Sequence, residues 1–159
     1  YHSQIILNGR KVNDSMGAFV ADAAIKQMIE AGMAPKNATV VVLGITFKED
    51  CPDTRNSKVV DVINRLKEFD IQPVVTDPWA DAEVAKHEYG VELTDFDRLP
   101  KADCVIVAVG HSKFRALSMM QLKELFKKEL PDSEKVLIDV KSLYRMDELK
   151  ASGMRFWRL

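Results

Sequence analysis

The feature that most constrains the fold of this chain is the alternation of strand-like and helix-like segments after residue 39. The strand-like runs are apolar without polar alternation, a pattern typical of strands buried on both faces of a parallel sheet. Such an alternation predicts right-handed βαβ units and an α/β fold with a doubly wound parallel sheet. The strand-like runs are TVVVLGI, PVVTDPW, DCVIVAVG, KVLIDV, a shorter VEL at 91–93 and a final MRFWRL; the helical segments are SKVVDVINRLKEF, DAEVAKHEYG and SMMQLKELFKKEL.

A long helix is predicted ahead of the sheet. Residues 13–15, Asn-Asp-Ser, offer N-caps to a helix that runs to about Ala31, where Gly32 and Pro35 stop it. Its apolar positions between residues 16 and 29 are wider than one stripe, which predicts burial on more than one side, in the core or a subunit interface. The predicted fold is therefore α/β, a Rossmann-like doubly wound parallel sheet preceded by a long helix.

Composition narrows the class of protein. A chain of 159 residues with 47% hydrophobic and 30% charged residues is typical of a globular domain with a proper core. A net charge of -1 argues against nucleic acid as a partner, and the sequence contains no apolar run long enough to span a membrane. Cys51 and Cys104 have no metal-ligand spacing. Two cysteines also make no disulfide framework, which favours a reducing, cytoplasmic location. Because the chain begins with Tyr1, we expect it to be a fragment.

Ligands of doubly wound sheets bind at the carboxyl ends of the strands, near the switch in strand order. The loop of residues 44–58, GITFKEDCPDTRNSK, follows the first strand but contains neither GxGxxG nor a Walker A motif. If this loop binds a phosphate, it must do so with side chains. Lys48 could act as a point charge, and the planar guanidinium of Arg55 could donate two hydrogen bonds. Asp53 could hold Arg55 in place by a salt bridge. Asn56 or Ser57 could cap the next helix. An ordinary solvated loop remains an equal alternative.

Longer motifs carry a resemblance to a known family. The run GITFKEDCPDTRNSKVVDVINRL, followed by DPWAD, resembles the C-terminal UDP-binding domain of the UDP-glucose/UDP-mannose dehydrogenase family. The opening YHSQIILNGRKVNDSMG resembles the end of the central helical region of the same family, closest to its UDP-N-acetylhexosamine (mannosamine or galactosamine) 6-dehydrogenases. The resemblance divides the chain into residues 1–36, from the helical dimerisation region, and residues 37–159, the UDP-sugar-binding domain.

The resemblance implies the activity of a larger protein. The full enzyme would oxidise C6 of a UDP-sugar from alcohol to carboxylate with two NAD, giving a UDP-uronic acid for the surface polysaccharide or capsule of a bacterium. The NAD-binding domain and the catalytic cysteine would lie upstream of this chain, and Cys51 does not match that cysteine. We therefore expect no catalytic residue in the chain, no activity from it alone, and a homodimer formed through the central helix.

The resemblance also implies roles for individual residues. Phe47 and Lys48 would line the UDP-sugar site, with Lys48 near the diphosphate. Asp53 and Arg55 would lie at the interdomain cleft, with Arg55 reaching NAD. Lys141 stands where UDP-glucose enzymes carry a substrate-contacting arginine, a departure that suits the hexosamine branch.

Arg10 is expected to contact substrate or to position the central helix. Asp77 ends the second strand, where it could bind ribose but is more typical of a structural acid, because no glycine fingerprint precedes it. His111 is more typical of a residue that hydrogen-bonds a loop than of a general base.

Two other functions fit the sequence less well. A stand-alone α/β nucleotide-binding or signalling module is the main alternative, but no phosphorylatable aspartate follows a central strand. A complete miniature dehydrogenase would need the missing glycine fingerprint.

Overall fold

The chain folds around one parallel sheet. A computed structural model describes residues 2–159, with side chains described from residue 15 onward. The five strands lie in the order β2-β1-β3-β4-β5, and every neighbouring pair is parallel. This confirms the predicted α/β fold. The strands are β1 (Val40–Leu43), β2 (Val74–Thr76), β3 (Cys104–Val107), β4 (Val136–Asp139) and β5 (Arg155–Arg158).

Helices cover both faces of the sheet, which makes it doubly wound as predicted. Alternate strand residues point to opposite faces, so that Val40 and Val42 join one core cluster while Val41 and Leu43 join another. The first cluster includes α1 and α2, and the second includes α4, α5 and α6. The helices are α1 (His2–Glu30), α2 (Val59–Glu68), α3 (Ala82–Tyr89), α4 (Ser112–Arg115), α5 (Met119–Lys123) and α6 (Met146–Ser152).

Two predicted elements were wrong in extent. The VEL segment forms no strand, and Leu93 makes only an isolated bridge to Val75 on the edge strand β2. The helix predicted for SMMQLKELFKKEL ends at Lys123, because the buried Phe126 turns away to bridge Ala102 just ahead of β3. Long-range packing therefore overrides the helical periodicity of that segment.

The start of the first helix was also misplaced. Helix α1 runs from His2 through the Asn-Asp-Ser segment at 13–15, so these residues do not cap it. These residue types favour a cap, but the helix that continues on both sides of them overrides that preference. The predicted end is confirmed, since Gly32 adopts a positive φ of 88° and the Met33 N–H donates to the Met28 carbonyl.

Helix α1 buries one stripe on the sheet. Its buried residues recur at helical spacing, whereas Phe19 and Ile29 on the outer side are 56% and 58% exposed. The expectation of burial on more than one side is therefore wrong for the chain on its own. The stripe consists of Gly17, Val20, Ala21, Ala24, Ile25 and Met28. In the part of the chain that the structure describes, none of the helices is long and apolar enough to cross a bilayer.

Gly17 lets α1 approach the start of α2 without an intervening side chain. A Cβ at this position would lie 2.5 Å from the Cβ of Asp61 and 2.9 Å from the carbonyl oxygen of Lys58. Since both neighbours belong to or adjoin the backbone of α2, they cannot swing aside as the tip of a flexible side chain could. The two helices are therefore in direct contact at this point.

Gly17→Ala tests this contact by the sign of its effect. Alanine stabilises an exposed helix interior by about 1 kcal/mol relative to glycine, so helix propensity alone predicts a gain. We expect instead a net loss of about 1–3 kcal/mol in the free energy of unfolding, because the added methyl overpacks the helix contact. Urea unfolding followed by circular dichroism measures it, beside wild type and Lys26→Ala, an exposed position of the same helix. A stabilised Gly17→Ala protein would contradict the close contact.

Candidate functional site

The strand order places a cavity at the carboxyl ends of β1 and β3. The connection after β1, residues 44–58 (the β1 loop), leads to α2 on one face, whereas the connection after β3 leads to α4 on the other. Such a divergence is where ligands bind in doubly wound sheets. The cavity holds about 250 Å³ and is lined by Met16, Gly17, Val20, Thr46, Phe47, Lys58, Val59, Val62, Ala108, Val109, Val140, Lys141 and Leu159.

The sequence-predicted residues divide between this cavity and the outer surface of the loop. Among the described residues, the cavity walls include Phe47 and Lys141 but not Lys48, Asp53 or Arg55. Lys48 is exposed on the β1 loop, and the Arg55 side chain is 85% exposed. The side chain of Arg10 lies outside the described residues.

The cavity has the chemistry of a site for an anion with a planar group. Lys58 and Lys141 are the two basic residues among those that line the cavity, Phe47 offers a half-exposed aromatic side chain, and valines form much of the apolar lining. Ammonium groups suit phosphate oxygens, and an aromatic ring suits the face of a base or sugar.

A buried carboxylate, Asp77, organises the ends of β1 and β2. Its Oδ2 accepts from the backbone N–H groups of Ile45 (2.7 Å) and Thr46 (3.2 Å), and its Oδ1 accepts from those of Trp79 (2.7 Å) and Ala80 (2.9 Å). These bonds stabilise both turns and give each carboxylate oxygen two backbone donors. The structural role favoured from sequence is thus the one that the geometry supports.

Hydrogen bonds hold Asp77 in its ionised form. Burial alone would raise the pKa of this carboxyl group, but the bonds from the His111 ring and from the Ile45, Trp79 and Ala80 amides together lower its pKa below the usual value near 3.8. The side chain is fully buried. An ionised group in such a place is stable only because its oxygens are all hydrogen-bonded.

The His111 ring is the fifth partner of Asp77 and is itself completely buried. Its Nδ1 accepts from the Asp50 N–H at 2.9 Å, so in the neutral ring the proton lies on Nε2. Nε2 then donates to Asp77 Oδ2 at 2.9 Å and also faces Thr46 Oγ1 at 3.1 Å. The expectation of a loop hydrogen-bonder is confirmed by these contacts.

Further bonds fasten the β1 loop to the start of α4. Asp50 adopts a positive φ of 53°, and its carboxylate accepts from both the backbone N–H and the hydroxyl of Ser112. The bonds from Ser112 lower the pKa of Asp50. One residue earlier, Glu49 lies 3.5 Å from Arg115. Together with the bonds to Asp77, these contacts tie the loop to the connections after β2 and after β3.

Further hydrogen bonds hold residues 53–57, in the outer part of the β1 loop. The Phe47 N–H donates to the Asp53 carbonyl at 2.7 Å, and the hydroxyl of Tyr89 donates to the Thr54 carbonyl at 2.9 Å. Arg55 binds Asp53 through two parallel hydrogen bonds of 3.0 Å, which confirms the predicted salt bridge. Those bonds lower the pKa of Asp53. Ser57 accepts from the Val59 N–H at 3.2 Å, but the N-cap of α2 is Lys58, so neither Asn56 nor Ser57 takes the predicted cap position.

A tight turn after β4 brings Lys141 to the cavity. The buried Asp139 at the end of β4 accepts from the N–H groups of Leu143 (2.9 Å) and Tyr144 (3.1 Å). Ser142 completes the turn with a positive φ of 53°. The position of Lys141 is therefore fixed by backbone contacts of its neighbours.

Sequence reasoning missed four contributors to this site: Thr46, Asp50, Lys58 and Asp139. Asp139 carried a usable signal, since an acid that ends an apolar strand is often buried and hydrogen-bonded to the following turn. The partners of Asp50 lie 61 and 62 residues away in sequence, so no local pattern announces them.

Asp77→Asn tests the organising role of the carboxylate through its pH dependence. A folded-state pKa below the unfolded value contributes stability that is present above about pH 5 and is lost as the pH falls through the folded pKa. We therefore expect the variant to lose roughly 2 kcal/mol in the free energy of unfolding at neutral pH. That deficit shrinks as the pH is lowered to about 3, as measured by urea midpoints. Asp97→Asn, at an exposed carboxylate, is the control; an equal deficit at both pH values would contradict the assignment.

Comparison with known proteins connects this geometry to a family. The UDP binding domain of the UDP-glucose/GDP-mannose dehydrogenase family matches residues 41–146. UDP-N-acetyl-D-glucosamine 6-dehydrogenase of Pseudomonas aeruginosa is 42% identical over 95% of this chain and 34% of its own length. Protein CapL of Staphylococcus aureus is 38% identical over 100% of this chain and 36% of its own. The chain thus spans about a third of the length of these curated relatives.

Solved structures agree in fold. UDP-N-acetyl-mannosamine dehydrogenase Cap5O from Staphylococcus aureus has a TM-score of 0.70 and 26% identity over 99% of this chain and 33% of that one. NDP-N-acetyl-D-galactosaminuronic acid dehydrogenase from Methanosarcina mazei Go1 has a TM-score of 0.81 and 24% identity over 96% of this chain and 30% of its own. At that identity, the match shows a likeness of fold alone. These matches favour the resemblance over a stand-alone signalling module. The chain belongs to the UDP-glucose/GDP-mannose dehydrogenase family and contains its UDP binding domain.

Proposed function

We propose that this chain is the UDP-sugar-binding part of an NAD-dependent UDP-N-acetylhexosamine 6-dehydrogenase. The observation that carries the proposal is the cavity between β1 and β3, where Phe47 and Lys141 meet within the family's UDP binding domain. The whole protein oxidises C6 of the sugar from alcohol to carboxylate in two hydride transfers. Its product is a UDP-uronic acid for surface polysaccharide.

The nucleotide-sugar lies across the cavity mouth in this proposal. Phe47 packs against a planar or apolar part of the ligand, and Lys141 binds an anionic part. Lys48 reaches the diphosphate from the exposed side of the β1 loop. The ligand is therefore held between the carboxyl ends of β1 and β4, and its sugar can project out of the domain.

The β1 loop fits only one part of NAD. Gly44 is its sole glycine, so the loop offers no glycine-rich turn on which a pyrophosphate could rest. Arg55, directed by Asp53, offers an exposed fork to a phosphate or carboxamide at the cleft. The rest of the cofactor binds in a preceding domain of the same protein. When bound, NAD accepts the hydride that leaves C6.

The named relatives support this substrate class. One is named for UDP-N-acetyl-D-glucosamine, and the solved Cap5O structure is named for UDP-N-acetyl-mannosamine. Lys141, in place of the arginine expected in UDP-glucose enzymes, agrees with an acetylhexosamine substrate. The proposal also keeps residues 1–36 as the end of a central helical region through which a cytoplasmic homodimer forms, with Phe19 and Ile29 exposed on its outer side.

The activity itself is tested on the full-length protein. We expect formation of two NADH for each UDP-N-acetylhexosamine consumed, and a lower kcat/KM for UDP-glucose than for the acetylated sugar. Stoichiometry is measured by NADH absorbance and by chromatography of the uronic acid product. Failure of both UDP-N-acetylhexosamines and UDP-glucose to reduce NAD would reject the proposal.

Lys48→Ala and Lys141→Ala test the substrate side in the same protein. Each removes a charge-assisted hydrogen bond, so we expect a rise of about tenfold in KM for the UDP-sugar, with KM for NAD nearly unchanged. Lys128→Ala is the matched control. Lys128 is exposed and lies two residues after Phe126, which bridges Ala102 at the amino end of β3, away from the cavity. Variants that behave like Lys128→Ala would remove these lysines from the site.

Arg55→Ala tests the cofactor side. Loss of a guanidinium that meets NAD should raise KM for NAD by about tenfold while KM for the UDP-sugar changes much less. Arg55→Lys keeps the charge but not the fork, and we expect it to recover only part of the loss. An effect of Arg55→Ala confined to KM for the UDP-sugar would assign the residue to the other ligand.

A further inference from the structure

Thr46 and Asp50 bracket Phe47 and Lys48, and the ring of His111 binds both of the bracketing residues. Its Nδ1 accepts from the Asp50 N–H at 2.9 Å, and its Nε2 faces Thr46 Oγ1 at 3.1 Å. We propose that His111 is a positioning residue for the nucleotide-sugar: it holds the ligand-facing side of the β1 loop in its binding conformation. This inference rests on the proposed function, since it concerns the same site.

The ring acts on the ligand only through the loop. Among the described residues, His111 is not one of those that line the cavity, and its side chain is completely buried. Thr46 in turn donates its hydroxyl proton to the Lys48 carbonyl at 3.0 Å. The backbone on either side of Phe47 and Lys48 is thus fixed to one imidazole.

Asp77 fixes which nitrogen of the ring carries the proton. Its Oδ2 lies 2.9 Å from Nε2, so a neutral ring protonated at Nε2 satisfies Asp77 while leaving Nδ1 as the acceptor that the Asp50 N–H needs. A side chain with only one of these two functions would leave a buried donor or acceptor without a partner. The ring also rests edge-on against Phe114, with centroids 5.6 Å apart.

The two ends of the loop should respond differently to loss of the ring. The bonds of His111 reach residues 46–50, whereas Thr54 is held by the Tyr89 hydroxyl and Arg55 by the Asp53 carboxylate. Removing the ring should therefore weaken binding of the UDP-sugar more than binding of NAD. General destabilisation of the fold would not separate the two ligands.

Two replacements divide the functions of the ring. Asparagine places its amide oxygen near the position of Nδ1 and can still accept from Asp50, whereas glutamine places its amide nitrogen near Nε2 and can still donate to Asp77. In the full-length protein, we expect His111→Gln to raise KM for the UDP-sugar about tenfold, with kcat and KM for NAD changed less than threefold. His111→Asn, which keeps the bond to Asp50 but not those of Nε2, should recover only part of that loss. His87→Gln, on the exposed side of α3, is the control.

Hydrogen exchange separates failure of this inference from failure of the proposed function. Amides of residues 46–50 should exchange faster in His111→Gln than in His87→Gln, with or without UDP-sugar, whereas those of residues 54–58 should change less. Equal exchange, equal KM values, or a rise shared equally by NAD and UDP-sugar would overturn the positioning role. Wild-type protein that bound no UDP-sugar would instead reject the proposed function, and the exchange result would then still decide whether His111 holds the loop.

Discussion

The buried carboxylate of Asp77 is the interaction on which the ligand-binding edge of this domain depends. It accepts hydrogen bonds from the turn after β1, from the turn after β2 and from a ring that follows β3. The ends of three strands are thus joined through one group. A buried charge is costly to desolvate, and here its hydrogen bonds offset that cost while fixing the geometry. The β1 loop starts from a rigid base because of this group.

The fold could be predicted from sequence because its signals are local. Four apolar runs and the helical segments between them are read directly from the order of residues, and a parallel sheet is the only common arrangement that buries such runs on both faces. The errors occur where a distant contact decides the outcome. Phe126 leaves its helix to bridge Ala102, and Leu93 pairs with Val75 for a single residue instead of extending the sheet.

The site was predictable to a smaller extent. Phe47 and Lys141 were expected at one site from a resemblance, and the cavity brings them together although they lie far apart in sequence. The contacts that shape the loop were not foreseeable, since the Asp50–His111 and His111–Asp77 pairs join residues 61 and 34 positions apart. The difference between the exposed Lys48 and the cavity-lining Lys141 could not be predicted, because it depends on which way the β1 loop folds over the sheet.

The close contact at Gly17 joins one wall of the cavity to α2. Gly17 and Val20 line the cavity, and a Cβ at Gly17 would lie 2.5 Å from the Cβ of Asp61 on α2. Glu30, at the other end of α1, lies roughly 20 Å from Gly17 along the helix axis. There Arg155 on β5 donates to Glu30 and Gln27 at 3.3 Å. Between these points, the Nε–H of Arg65 on α2 donates to Asp22 Oδ1 at 2.9 Å. The helix that lines one wall of the cavity is therefore fixed at its other end to the edge strand β5.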